Sequence, residues 1–400
     1  MDWQLIGIVA GIICVPLTVF GAYVGIRQIV QWRRDAKANL EVRVMLESMS
    51  KKVDGIKIYI DGLAEMPERR RRTLLRDGLS DMRDYKCNDA IVSFRECMGQ
   101  GATTSQKIAL LILIGNCFLS TSRLNEAEGH YREAEVAARE SNDKEGLSAI
   151  LGNMGIVYQI KGDLEKALEH HQQALGINRE IGRREGEANQ LGNMGLVYQI
   201  KGDLDKALEH HWQALGIHRE TGHRQGEASD LGNMGIVYKI KGELDKALEH
   251  HQQALEIDRE VGYRQGEANK LGNMGIVYEI KGEPDKALEH YQQALEIHRE
   301  TGHREGEASA LGNMGLVYRI KGELDKALEH YQQALKIDRE IGHREGEASQ
   351  LCNMGNVYQI KGELDKALEH HQLALKIFEE IGAKEGAERV RENISELRRH

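Results

Sequence analysis

Histidine is the first residue type here that could do chemistry, because most of the seventeen fall in step along the chain. His130, His170, His210, His250, His290, His330 and His370 recur every forty residues, several followed at once by a second histidine. Imidazole is a common zinc ligand, so a metal ladder is the first chemistry to weigh. Geometry is against it. Adjacent residues on a helix diverge by about 100°, and packed helices lie about 8–10 Å apart. Zinc ligands must converge to about 2.1 Å. The second histidine is also replaced by Tyr291 and Tyr331, which suits packing. The pattern assigns the histidines to packing and no residue to a metal.

Nucleophile chemistry has no better footing. Ser48–Lys51 and Ser141–Lys144 match S-x-x-K without its supporting motifs. No phosphate-binding glycine loop, HExxH helix or nucleophile elbow occurs. The five cysteines (Cys14, Cys87, Cys97, Cys117, Cys352) are odd in number and badly spaced for disulfides or zinc. They fit a reducing compartment. A net charge of −9 is spread over Glu/Lys/Arg-rich surfaces, with no basic face for nucleic acid. The sequence therefore predicts no enzyme, no catalytic residue, no cofactor and no nucleic-acid partner.

These residues belong to a chain that repeats itself. Six near-identical copies begin at Leu151, Leu191, Leu231, Leu271, Leu311 and Leu351, and an eroded seventh covers 111–150. A degenerate helical repeat precedes them over 67–110, with Ala90, Phe94 and Cys97 at matching spacing. Within a copy, Leu151, Met154, Val157 and Tyr158 form one helical stripe. Leu164, Ala167, Leu168, His171, Ala174 and Leu175 form the next. Gly162 suits a left-handed helix end, Asp163 the following N-cap, and Gly182 the end of the second helix. Pro284 falls at a first helical turn, where it is tolerated. Gly152 and Gly155 weaken a helix, so a close neighbour must require them; Gly155 is expected to face Ala167 and Ala174. Such hairpins bury their stripes only by stacking. The last of seven copies ends at 390, and residues 387–400 read as a capping helix with Val390, Ile394 and Leu397 on one face.

The N-terminal part reads differently. Residues 5–26 carry no charge, and about twenty apolar residues span a bilayer as a helix. The absence of a basic n-region and of a cleavage site argues for a transmembrane helix over a signal peptide. Arg27, Arg33, Arg34 and Lys37 follow it. The positive-inside rule then predicts a single-pass membrane protein, anchored in the lipid bilayer through 5–26, with its repeats cytoplasmic. Residues 27–66 read as a helical stalk. Val42, Leu46, Met49, Val53, Ile56, Ile60 and Leu63 keep heptad spacing. That fits a coiled coil and a homodimer through the stalk, or equally an amphipathic helix packed on the chain's own repeats.

The recurring set Met154-Gly155, Tyr158, Gly162, Ala167, His171 and Ala174 resembles the tetratricopeptide repeat, over 111–390. The forty-residue period resembles the longer-repeat branch of kinesin light chains and LGN/Pins adaptors. The resemblance implies an all-α fold: a right-handed α-solenoid of helix hairpins, preceded by the transmembrane helix and the stalk. In that family the first helices line a concave groove. The resemblance thus points to Asn153, Asn193, Asn233, Asn273, Asn313 and Asn353 as an amide ladder. An amide both donates and accepts, so a ladder of them would hold an extended peptide. The plainer reading is that each Asn ties down the neighbouring repeat. Specificity would come from positions that differ between copies, Gln159, Gln199, Lys239, Glu279, Arg319 and Gln359, together with Asn356. The expected function is a membrane-anchored protein–protein interaction scaffold with a partner peptide or protein in the groove. The alternative is a self-associating structural protein without a dedicated ligand.

Overall fold

A computed structural model describes residues 69–83 and 86–397, and every regular element among them is an α-helix. These residues form two compact units, divided between Asp230 and Leu231. The first contains α1 (Arg69–Arg83), α2 (Cys87–Gly99), α3 (Thr104–Ser120), α4 (Leu124–Glu140), α5 (Lys144–Ile160), α6 (Leu164–Glu180), α7 (Arg184–Ile200) and α8 (Leu204–Thr221). The division falls within α9 (Arg224–Ile240). The second unit continues with α10 (Leu244–Glu260), α11 (Arg264–Ile280), α12 (Pro284–Thr301), α13 (Arg304–Ile320) and α14 (Leu324–Ile341). It ends with α15 (Arg344–Ile360), α16 (Leu364–Glu380) and α17 (Lys384–Leu397). Within each unit a helix packs mainly on its neighbours in sequence, the quasi-one-dimensional contact pattern of a repeat array.

The turns explain the period. Helices α5 and α6 are seventeen residues each, and a three-residue turn follows each of them. In the first turn Gly162 takes φ +79°, its N–H donates to Gln159 O at 3.1 Å, and Asp163 N–H donates to Tyr158 O at 2.9 Å. Gly182 repeats this at φ +70°, with bonds to Arg179 O at 3.2 Å and from Arg183 to Asn178 O at 2.8 Å. Both are Schellman ends, in which a left-handed residue satisfies the last carbonyls. Asp163 Oδ1 then accepts from Lys166 N at 3.3 Å and starts α6. Where glutamate replaces it, as at Glu323 and Glu363, no cap bond forms, and the carboxylate pairs with Lys326 or Lys366 instead. Pro284 sits in the first turn of α12, as its fixed φ allows.

The first helix of each pair starts seven residues before the leucine that opens each sequence copy: α5 at Lys144, α7 at Arg184. Glycine and charge disguise those seven residues as a linker. They are helical because Glu187 is held by Arg179 Nε at 2.8 Å and by Arg184 Nη1 at 2.6 Å.

Each hairpin closes on a glycine. A Cβ added at Gly155 would lie 2.5 Å from the His171 ring, so the expected contact with Ala167 and Ala174 is corrected to this ring. The same pairing joins Gly195 to His211, Gly275 to Tyr291 and Gly315 to Tyr331. Even the outlying pairs keep it, with Gly115 against Tyr131 and Gly78 against Phe94. Helix α3 is apolar all round, and Ile108 to Ile114 are all buried, at 3% exposure or less.

The membrane expectation is corrected. Among the described residues no helix is long and apolar enough to cross a membrane. The most apolar, α3, has seventeen residues, or roughly 25 Å at 1.5 Å per residue, short of a hydrocarbon core about 30 Å thick. The transmembrane helix expected at 5–26 and the stalk at 27–66 lie outside the described residues. The single-pass localisation, the cytoplasmic placement and the bilayer partner that followed from them are not carried further.

The eroded copy offers a test of the turns. Ser122 (φ 58°) and Asn142 (φ 53°) occupy the left-handed site that glycine holds elsewhere. A side chain there costs about 1 kcal/mol or more. Ser122→Gly is expected to raise stability by about 0.5–1 kcal/mol in urea unfolding, and Gly162→Ser to lower it by a similar amount. A destabilised Ser122→Gly would contradict this account of the turn.

Candidate functional site

The predicted ladder begins at Asn153 on α5 and Asn193 on α7, both buried at 6% exposure. Asn153 Nδ2 donates to Asn116 Oδ1 at 3.3 Å, and that oxygen also accepts from Tyr131 Oη at 2.5 Å. At the other end Asn393 Nδ2 on α17 donates to Asn356 Oδ1 at 3.4 Å. Asn116 and Asn356 occupy the same place in their copies, where the five between carry Ile or Leu. An amide pair therefore ties α3 to α5, and another ties α15 to α17. Asn233 Nδ2 is buried without a hydrogen-bond partner. Asn273, Asn313 and Asn353 are half-buried on α11, α13 and α15.

Most of the variable series is half-buried. Gln199 is 3% exposed, while Gln159, Lys239, Glu279, Arg319 and Gln359 are half-buried. Burial lowers the Lys239 pKa. It raises that of Glu279, whose carboxylate accepts from Tyr291 Oη at 3.3 Å. Glu279 thus serves the ring that closes its own hairpin.

Two surface features escaped the sequence reading. In the first unit, a shallow hollow of about 20 Å³ is lined by Gly152, Asn153 and Ile156 of α5 and Asn189, Gln190 and Asn193 of α7. In the second, Ile280, Ile320 and Ile360 end α11, α13 and α15 with 56%, 58% and 56% of their surface exposed. The signal was present in the sequence, since an isoleucine recurs there off the core stripe of Leu, Met, Val and Tyr. At Gly272 a Cβ would meet nothing within 4 Å, whereas at Gly232 and Gly312 it would meet Lys270 and Gln350; the corresponding residue here is the small Ala310.

The histidines take two structural roles. The first of each pair leans on a tyrosine: His170 and Tyr158 have ring centroids 4.9 Å apart, and His170 Nδ1 donates to Lys166 O at 2.8 Å. The second fills the glycine notch. His171, His251 and His371 are fully buried, and neither ring nitrogen of His251 or His371 finds a partner. Charged groups hold the repeats together outside this core. Burial alone would raise the Glu187 pKa; hydrogen bonds from Arg179 and Arg184 outweigh it and hold the carboxyl below the ordinary range. Arg184 also reaches Glu220 at 2.5 Å, and Arg344 reaches Glu380 at 2.6 Å, so each arginine ties the start of a first helix to the end of its own hairpin's second helix, while Arg179 grips Glu187 from the preceding hairpin.

The family model described as Tetratricopeptide repeat matches residues 106–180, 187–260 and 266–340. No curated protein matches the sequence. Among solved structures, the chain is similar to the apo form of the quorum sensor NprR from B. thuringiensis, at 13% identity and TM-score 0.60, covering 84% of this chain and 96% of that one. A Rap protein complexed with competence and sporulation factor is similar at 15% identity and TM-score 0.51, covering 83% and 98%. A kinesin light chain of nearly identical repeats from P. anserina shares 18% identity at TM-score 0.41, covering 48% and 94%. At these identities the likeness speaks to the fold alone.

The buried histidines make stability depend on pH. Burial lowers His171 and His371 to about 4 and His251 to about 3. These rings stay neutral in the fold, while the unfolded chain gains protons as pH falls through about 6.5. Stability is therefore complete above that value and is lost as pH falls towards 4, by up to about 1.4 kcal/mol per pH unit for each ring. Melting temperature should drop between pH 7.5 and 5, and His251→Tyr should flatten the slope. An unchanged slope in that variant would count against the buried neutral ring.

Proposed function

The chain belongs to the tetratricopeptide-repeat family, and on that premise we propose that it is a protein-interaction scaffold that holds an extended peptide across its first helices. One observation carries the reading. In the second unit the same three helices each present a half-buried amide, Asn273, Asn313 or Asn353, and an exposed isoleucine, Ile280, Ile320 or Ile360. The amides suit a peptide backbone, which needs a donor and an acceptor together. The isoleucines suit apolar side chains.

Spacing narrows the ligand. Packed helices lie about 8–10 Å apart, and a polyproline-type chain advances about 9 Å in one three-residue turn. An extended segment with an apolar residue at every third position would meet one isoleucine per repeat. A β-strand alternates its faces and would offer every second apolar residue to solvent. The Rap protein of similar fold is complexed with competence and sporulation factor, which supports looking for a bound partner here.

The test uses synthetic twelve-residue peptides with leucine at every third or every second position, titrated against the full chain. The three-residue spacing should bind better. Asn273→Ala with Asn313→Ala should weaken it by about tenfold, the scale of one or two hydrogen bonds, without moving the melting temperature. Ile280→Ser with Ile320→Ser should do the same. Equal binding of both spacings, or binding indifferent to all four residues, would reject this groove. Concentration-dependent polymers that bind neither peptide would favour self-assembly instead.

A further inference from the structure

Near-identical copies create a problem of order during folding, because until the short turns close a second helix could stack on the first helix of another copy with most contacts intact. The Arg179–Glu187–Arg184 set recurs as Arg259–Glu267–Arg264 and as Arg339–Glu347–Arg344. The turns recur as well. Nothing in these contacts tells one copy from another.

Two buried positions break the monotony. Near the end of the second helix the series runs Asn178, His218, Asp258, His298, Asp338 and Phe378, none more than 6% exposed. On the first helix that follows, it runs Gln190, Asp230, Lys270, Ala310, Gln350 and Val390. Both change from copy to copy, and in three registers they make a polar contact with each other. Between α8 and the start of α9, His218 Nδ1 donates to Asp230 Oδ2 at 2.7 Å. Between α10 and α11, Lys270 Nζ lies 3.4 Å from Asp258 Oδ2. Between α14 and α15, Gln350 Nε2 donates to Asp338 Oδ2 at 3.4 Å. At the end, Phe378 and Val390 share one apolar cluster. Two registers differ: Gln190 Oε1 lies 2.9 Å from His171 Nδ1, and His298 meets His303 at 3.3 Å opposite Ala310.

We propose that these two positions form an address code, which favours the first helix that follows each second helix and refuses first helices of a different register, whether from elsewhere in the chain or from a second copy of it. The physical basis is the asymmetry of burial. A matched pair is close to neutral in energy, but a mismatched one leaves a buried charge without a partner. Asp258 against an aspartate such as Asp230 would bury two carboxylates together. Phe378 against Lys270 would strand a buried ammonium. Specificity of this kind comes from what the wrong pairing costs.

The test is refolding of the full chain from urea, with sedimentation to measure the monomer fraction. Lys270→Asp should lower the unfolding midpoint, and Asp258→Lys with Lys270→Asp should recover most of it. Those two results alone would show only a stabilising pair. The deciding variant is Asp258→His with Lys270→Asp, which copies the His218–Asp230 address into a second place. It should keep the parent midpoint while its refolded monomer fraction falls at least twofold, as hairpins exchange between copies. Asp338→His with Gln350→Asp repeats the duplication elsewhere, should the first variant not fold. Parent-like monomer recovery in a duplicated variant with a parent-like midpoint would overturn the code, as would a Lys270→Asp chain with an unmoved midpoint.

Discussion

A helix stripped of one side chain, with an aromatic ring from the next helix laid into the gap, is the contact from which the hairpins are built. It recurs at Gly78 and Phe94, Gly115 and Tyr131, Gly155 and His171, and onward to Gly355 and His371. The ring changes between phenylalanine, tyrosine and histidine, and the glycine does not. A ring of any kind fills the space, but no Cβ can share it. The constraint fixes how closely two helices approach, and so which residues turn inward. It also accounts for histidines with neutral, unbonded rings, which a protein would otherwise avoid burying.

Once the hairpins are set, apolar clusters such as Leu175 with Ala188, Leu191 and Met194 stack one hairpin on the next, and polar groups line the same contacts. Second helices end in buried Asn, His or Asp, and the next first helix opens with a glutamate gripped by two arginines. Exposed ion pairs of this sort contribute little one by one. They recur in every copy, however, and the buried pairs among them discriminate between neighbours. The result is a stack that presents the same helix face again and again, which is what an extended ligand needs.

Much of this was legible in the sequence, and the failures have physical causes. The period, the left-handed glycines, the aspartate caps and Pro284 could be read because each reflects a local backbone rule. The tetratricopeptide likeness was equally plain in the recurring Gly155, Tyr158, Ala167 and Ala174. The partner of Gly155 was misassigned because small residues suggest small neighbours, whereas a glycine that admits a ring leaves no sign of the ring's identity. The start of α7 was hidden because Gly186 weakens a helix signal that only the Asn178 side chain above it explains. The sequence left Asn153 open between groove and neighbouring repeat; that Asn153 meets Asn116, and Asn356 meets Asn393, is a tertiary fact that spacing does not carry. The isoleucine row was visible but unexplained until burial separated core from surface. The membrane span rested on residues outside the described ones, and no described helix supports it.

Two glycines on one helix turn allow the glycine–ring contact to be tested against helix propensity. Gly272 and Gly275 lie three residues apart on α11. A Cβ at the first meets nothing within 4 Å, and at the second it lies 2.5 Å from the Tyr291 ring. The decisive measurement is urea unfolding of Gly272→Ala and Gly275→Ala in the full chain. Gly272→Ala should gain roughly 0.5–1 kcal/mol, the helix advantage of alanine. Gly275→Ala should lose about 1–3 kcal/mol, as overpacking forces the ring aside. Equal stabilisation of both variants would contradict the account, because it would mean that the ring does not need the gap.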